Sequence, residues 1–185
     1  TNSMIEDISG NGYNANIVGN LNLLPGEGHH NNGIQLSNQS GNYLDLGKSR
    51  ELIPESITFS YWVKRTEDLS KQEHVLAWFK EEGNYASNGF FITYNGNSSI
   101  IMVDGTNNFH VPQNPNEFLP LNEWTHVVFT FDAKTKDAAI YKNGEKQKVA
   151  YQGSINSITT NDAVKRIGVS GYGNAAPFNS PVDDM

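Results

Sequence analysis

Twenty carboxylates, five histidines and no cysteine are the side chains from which this 185-residue chain would have to build chemistry. Hydrolysis of a glycosidic bond needs two carboxyl groups about 5 to 9.5 Å apart, one of them a proton donor. On a strand, residues i and i+2 reach that spacing, because side chains alternate between faces at a rise of about 3.3 Å per residue. The acidic neighbours here are Glu6-Asp7, Glu67-Asp68, Glu81-Glu82 and Asp183-Asp184. Adjacent residues on a strand point to opposite faces, so these pairs do not suit cooperating carboxylates. There is no G-x-S-x-G nucleophile motif, and without cysteine no Cys-His arrangement. The histidines lack a zinc spacing such as H-E-x-x-H, and His29-His30, within "GEGHHNNG", reads as a solvated loop. The absence of cysteine also excludes disulfides and thiolate metal sites. Oxygen and imidazole remain as ligands, with calcium as the natural candidate ion.

Such side chains need elements to hold them, and the elements here are strands. In "EWTHVVFTFDAKTKDAAIYKNGEKQKV" (Glu123 to Val149), Val127, Phe129 and Phe131 share one face, while His126, Val128, Thr130 and Asp132 share the other. Asn143-Gly144 is the pair that best accepts the positive φ angles of a two-residue hairpin, so the chain should reverse there. Further strands are expected at Gly33 to Leu36, Tyr43 to Leu46, Ser56 to Lys64, His74 to Lys80, Gly89 to Tyr94, Ser99 to Val103, Asn108 to Val111, Thr125 to Phe131, Ala138 to Lys142 and Val164 to Val169. Turn-rich stretches such as "NGNSS", "DGTNN" and "PQNPNEF" separate them, and "RTEDLSKQEH" has room for a helical turn at most. The pattern predicts an all-β, two-sheet antiparallel sandwich forming one domain over residues 1–185.

Composition narrows the partners. A net charge of −7 and scattered Lys and Arg argue against a nucleic-acid surface. No apolar run approaches the roughly 20 residues that a membrane-crossing helix requires, so membrane insertion is not expected.

Certain residues carry a resemblance. "EDISGNGYNANIVGN" (Glu6 to Asn20), "SITFSYWVKR" (Ser56 to Arg65), "EWTHVVFTFD", "IYKNGE" and "RIGVSGYGNAAPFNSPVDDM" follow one another as the motifs of laminin-G-like jelly rolls do. The chain therefore resembles that branch of the concanavalin A-like lectin and glucanase superfamily, with Ser180 standing where the family commonly has Gly. The resemblance implies a concanavalin A-like jelly roll, one module of a larger, secreted or cell-surface, bacterial protein. It ends at Met185, inside what should be its last strand. Glucanases of this fold carry E-x-D-x-E or E-x-D-x-x-E on one strand, and no such triplet occurs here. The expectation is accordingly a non-catalytic carbohydrate-binding module, appended to a glycoside hydrolase. A protein-interaction or adhesion module is the alternative, with a glycan-cleaving enzyme below it.

Two sites follow. For calcium, Asp7 opens the Gly-rich turn "DISGNG", and Asp183 and Asp184 would lie beside it if the first and last strands pair, as they often do in this superfamily. Asp7, Asn11, Asp183 and Asp184 are the expected ligands of a structural ion, against the plainer reading that Asp7 makes an Asx-turn. For a glycan, the needs are an exposed aromatic plane and nearby polar groups. Alternation groups His74, Leu76, Trp78 and Lys80 on one face, making Trp78 a candidate floor, with Tyr85, His110, Tyr172 and Phe178 as its rim. Trp62 and Trp124 match framework positions of the family and are expected to be packed, and His126 is expected to be a hydrogen-bonded sheet histidine.

Overall fold

The computed structural model describes residues 4–39, 41–52, 55–69, 71–79, 89–95, 99–104, 107–154, 164–169 and 177–185, in places within strands by backbone alone. Among the described residues there are sixteen strands: β1 (Met4–Ile5), β2 (Ala15–Val18), β3 (Asn22–Gly28), β4 (Asn31–Gln35), β5 (Tyr43–Asp45), β6 (Ile57–Lys64), β7 (Gln72–Phe79) and β8 (Gly89–Asn95) come first. They are followed by β9 (Ser99–Asp104), β10 (Asn107–Val111), β11 (Trp124–Phe131), β12 (Ala138–Lys142), β13 (Glu145–Lys146), β14 (Ala150–Gln152), β15 (Arg166–Ile167) and β16 (Pro181–Asp183). They form two antiparallel sheets, a nine-stranded one ordered β1-β2-β5-β15-β7-β8-β9-β10-β14 and a seven-stranded one ordered β13-β12-β11-β6-β16-β4-β3. The chain is thus the all-β two-sheet sandwich that alternation predicts, and the jelly roll that the resemblance implies. A one-turn helix, α1 (Pro115–Phe118), forms within "PQNPNEF", where the sequence suggests only a turn. Asn114 caps it, its side chain accepting from the Asn116 N–H, and Pro sits in its first turn.

The core lies where the two inner faces meet. Val127 and Phe129 are fully buried and Phe131 is 2% exposed, as their shared face requires; Tyr61, also fully buried, pairs with Val127 from β6, and Val63 is buried next along that face. Phe59, on the same face of β6, is only partly buried. The reason is local. β16 pairs with β6 only through Val182 and Asp183, and beside residues 57–59 the sheets stand apart around a cavity of about 1270 Å³. Ile57, Phe59, Leu44 and Leu76 line that cavity.

At the Asn143-Gly144 reversal both residues have positive φ, 49° and 83°, and Lys142 pairs with Glu145 across the turn. The same Asn143 ties the tip back to β11: the His126 N–H donates to Asn143 Oδ1 and the Asn143 N–H donates to the His126 carbonyl, both at 2.9 Å.

Two expectations about faces need correction. Leu76, grouped with Trp78 on an open face, is 4% exposed and part of the core beside the fully buried Val75. A register shift between His74 and Leu76 breaks the period-2 pattern, so consecutive residues are buried. Phe178, expected at a loop rim, is fully buried, its ring stacked on Tyr94 at 5.4 Å.

Candidate functional site

The outer face of the seven-stranded sheet gathers a row of half-buried rings and titratable groups. Alternation on β6 and β11 puts Trp62, Lys64, Trp124 and His126 on this face, each half-buried. Register sets Trp62 opposite His126 on one side and Asp183 on the other. The Trp62 and His126 rings lie 5.0 Å apart, His126 Nε2 is 2.8 Å from Ser60 Oγ, and the Lys64 ammonium sits 5.9 Å above the Trp124 ring. Trp62 and Trp124 are therefore packed framework rings and His126 a hydrogen-bonded sheet histidine, as the sequence suggests.

The turn joining β3 and β4 folds over this row. His29 lies flat on Trp62, centroids 3.4 Å apart and planes 10° from parallel, and His30 stands at 83° to it. Asp183 reaches into the same turn: its Oδ2 accepts the His30 N–H at 2.7 Å and its Oδ1 accepts the Asp184 N–H at 2.8 Å. Gly28 makes room for this, since a Cβ there would meet Asp183 Oδ2 at 2.7 Å and the Asn32 backbone at 2.6 Å. Asp184, in the left-handed region at φ 46°, brings its carboxylate to 2.5 Å from His30 Nδ1. Ligand atoms of His30, Asp183 and Asp184 all lie within 4.8 Å of one another, which makes them a possible ion-binding group among the described residues.

Of the expected calcium ligands, Asp183 and Asp184 come together, but with His30. Asp7 lies outside that group, and its carboxylate is engaged in its own loop. Oδ1 accepts the Ser9 N–H at 2.8 Å, and Oδ2 accepts Ser9 Oγ at 2.8 Å and the Tyr13 N–H at 3.0 Å. These bonds, that from the Ser9 hydroxyl first, hold the Asp7 carboxyl below the usual carboxylate range. Asn11 bonds Ser9 Oγ through its N–H and its side-chain amide. Asp7, Asp183 and Asp184 nevertheless all line the inter-sheet cavity.

Of the expected sugar-binding residues, Tyr85 and Tyr172 lie outside the described residues. Trp78 is in β7, paired with Phe90, and its side chain is likewise outside them. His110 is not in a loop: it is half-buried in β10, between Ile101 and Ala150 in register. Sequence reasoning passed over Glu73, a carboxylate 4% exposed in β7. Loss of hydration pushes its pKa up to about 7, against a weak bond from the Asn179 N–H at 3.4 Å and the charge of Lys71. It also missed the meeting of His30 with Asp183 and Asp184. The doubled histidine was a signal, but its partners are more than 150 residues away.

The two antiparallel sheets define a jelly-roll class of β-sandwich. The chain belongs to the concanavalin A-like lectin/glucanases superfamily, whose Laminin_G_3 family model matches residues 38–185. Over 148 residues it is 26% identical to the non-toxic nonhemagglutinin of Paraclostridium bifermentans, covering 78% of this chain but only 12% of that protein's length. Among solved structures it is similar to domain 4 of AbnA, a GH43 extracellular arabinanase from Geobacillus stearothermophilus, in complex with arabinotriose. That likeness has a TM-score of 0.69 at 18% identity over 96% of this chain and 83% of that one. It is also similar to the CBM40 of the Ruminococcus gnavus IT-sialidase bound to α2,3-sialyllactose, with a TM-score of 0.61 at 18% identity over 81% of this chain and 85% of the other. At these identities the likenesses speak for the fold.

Proposed function

We propose that the chain is a non-catalytic glycan-binding module of a secreted or cell-surface bacterial protein, joined in its parent chain to a glycoside hydrolase. The observation that carries this reading is the half-buried Trp124 at the end of the outer-face row, with Lys64, Ser60 and Asn143 on the same face, while Trp62, covered by His29, and His126 pack the row behind it. Rings offer their faces to the C–H side of a sugar, while ammonium, hydroxyl and amide groups meet its hydroxyls. The solved structures described above, with arabinotriose and sialyllactose bound, show that this fold accommodates oligosaccharides elsewhere. Tyr85, Tyr172, Trp78 and His110 remain proposed contacts. The missing strand-borne E-x-D-x-E or E-x-D-x-x-E triplet supports the non-catalytic reading.

One or two stacked rings with solvent-competed hydrogen bonds support a dissociation constant on the order of 10 μM to 1 mM, about −7 to −4 kcal/mol. A glycan array paired with a reducing-sugar assay on the same panel tests the reading. Binding that Trp124→Ala abolishes would place the site on the outer face. Binding lost in Tyr85→Ala or Tyr172→Ala would place it at those residues. New reducing ends would make the chain an enzyme. Silence across the panel would favour the second reading, a protein-interaction module. That reading draws on the exposed Met4, Ile8, Leu23 and Met185 around the mouth of the inter-sheet cavity.

A further inference from the structure

We infer that the turn joining β3 and β4 and the end of β16 form a binding site for a zinc-class divalent cation, with His30 and Asp184 as ligands, Asp183 beside them and His29 completing the set. Three donors from two segments, those of His30, Asp183 and Asp184, lie within 4.8 Å of one another, and His29 stands next to His30. His30 Nδ1 is 2.5 Å from Asp184 Oδ2 and 3.1 Å from His29 Nδ1. Asp183, 8% exposed, is fixed by backbone N–H groups on both oxygens, each of which keeps a further lone pair.

The spacing suits a small ion. Bonds of about 2.0 to 2.1 Å set tetrahedral ligands roughly 3.3 Å apart. The two imidazole nitrogens already stand near that edge length, and the carboxylate of Asp184 must retreat by roughly 0.8 Å to admit the ion at such bond lengths. Side chains of His30 and Asp184 are 56% and 52% exposed, so the ion can enter from solvent and they can move. Two imidazole nitrogens facing each other need a proton or a cation between them to be stable neighbours, and both could ligate as neutral rings protonated at Nε2.

Ligand type decides the ion. Calcium prefers a shell of six to eight oxygens, whereas a mixed imidazole and carboxylate set favours zinc, copper, nickel or cobalt. The site also has a built-in reporter. His29 lies on Trp62 at 3.4 Å, so a paramagnetic ion held by His29 and His30 sits close to that indole.

The experiment titrates the untagged protein with Zn²⁺, with Cu²⁺ and with Ca²⁺, reading heat and tryptophan fluorescence. Zn²⁺ should bind with one-to-one stoichiometry and raise the melting temperature, and Cu²⁺ should quench the fluorescence at the same stoichiometry. His30→Ala should weaken Zn²⁺ by at least about 100-fold, beyond the 10- to 100-fold typical of losing an outer-shell partner, and Asp184→Asn by at least about tenfold. Both residues are exposed, so the variants should keep the wild-type melting temperature without metal. Zn²⁺ affinity unchanged in His30→Ala would overturn the inference. So would Ca²⁺ binding more tightly than Zn²⁺ with no response to that substitution, which would return the acids to an oxygen-only site.

Discussion

Raising the pH should destabilise this protein through one side chain, Glu73. Its carboxyl is held in β7 at 4% exposure. Burial pushes its pKa from 4.5 to about 7, and a 3.4 Å bond from the Asn179 N–H and the charge of Lys71 offset this only in part. The unfolded chain releases that proton near 4.5, while the folded chain keeps it to about 7. Between those values the native state binds more protons, so stability falls as pH rises. The neutral carboxyl's contribution is complete below about 4.5 and lost above about 7. At about 1.4 kcal/mol per pH unit, that gap corresponds to about 3 kcal/mol. Glu73→Gln keeps the shape and an acceptor for Asn179 but cannot ionise, so its stability should not carry this slope. Urea unfolding of both proteins from about pH 4.5 to pH 8 measures it. Because the other titrating groups are common to both chains, the difference curve isolates Glu73. A difference flat with pH to within about 0.5 kcal/mol would refute the reasoning, showing that the carboxyl reaches water.

Other consequences are as direct. Phe129→Ala, in the fully buried stripe of β11, should cost about 3 to 5 kcal/mol from lost burial and the cavity left behind; a loss under 1 kcal/mol in chemical denaturation would contradict that packing. Tyr61 and Tyr94 share a buried hydroxyl pair at 2.7 Å, so Tyr61→Phe strands one hydroxyl at about 1 to 3 kcal/mol, and the double Phe variant should cost less than the sum of the singles. Ser180 Oγ is buried without a hydrogen-bond partner among the described residues, so Ser180→Ala should leave the melting temperature unchanged or raise it, a gain of up to about 1 kcal/mol.

What the sequence disclosed, and what it did not, divides along physical lines. Alternation along β6 and β11 was legible because each strand buries one face, which imposes a period that slipping by one residue would invert. Asn143-Gly144 was legible because few residue pairs accept its φ angles. Leu76 was misread where the ladder shifts register, since alternation carries no mark of an extra residue until the partner strand is known. Phe178 was misread because Gly and Asn around an aromatic suggest a loop but do not say what the loop covers. Short strands such as β1, β13 and β15 span two residues each, too few for any period, and they exist because neighbours supply their hydrogen bonds. Ligand geometry is the extreme of the same problem. Asp7 displays its bonds locally, to Ser9 and Tyr13 within six residues, so an Asx-turn could be weighed from the sequence. His30 meets Asp183 and Asp184 only because β16 is laid between β6 and β4. Their chemistry belongs to the order of strands in the sheet, which a single sequence encodes only through the stability of the whole.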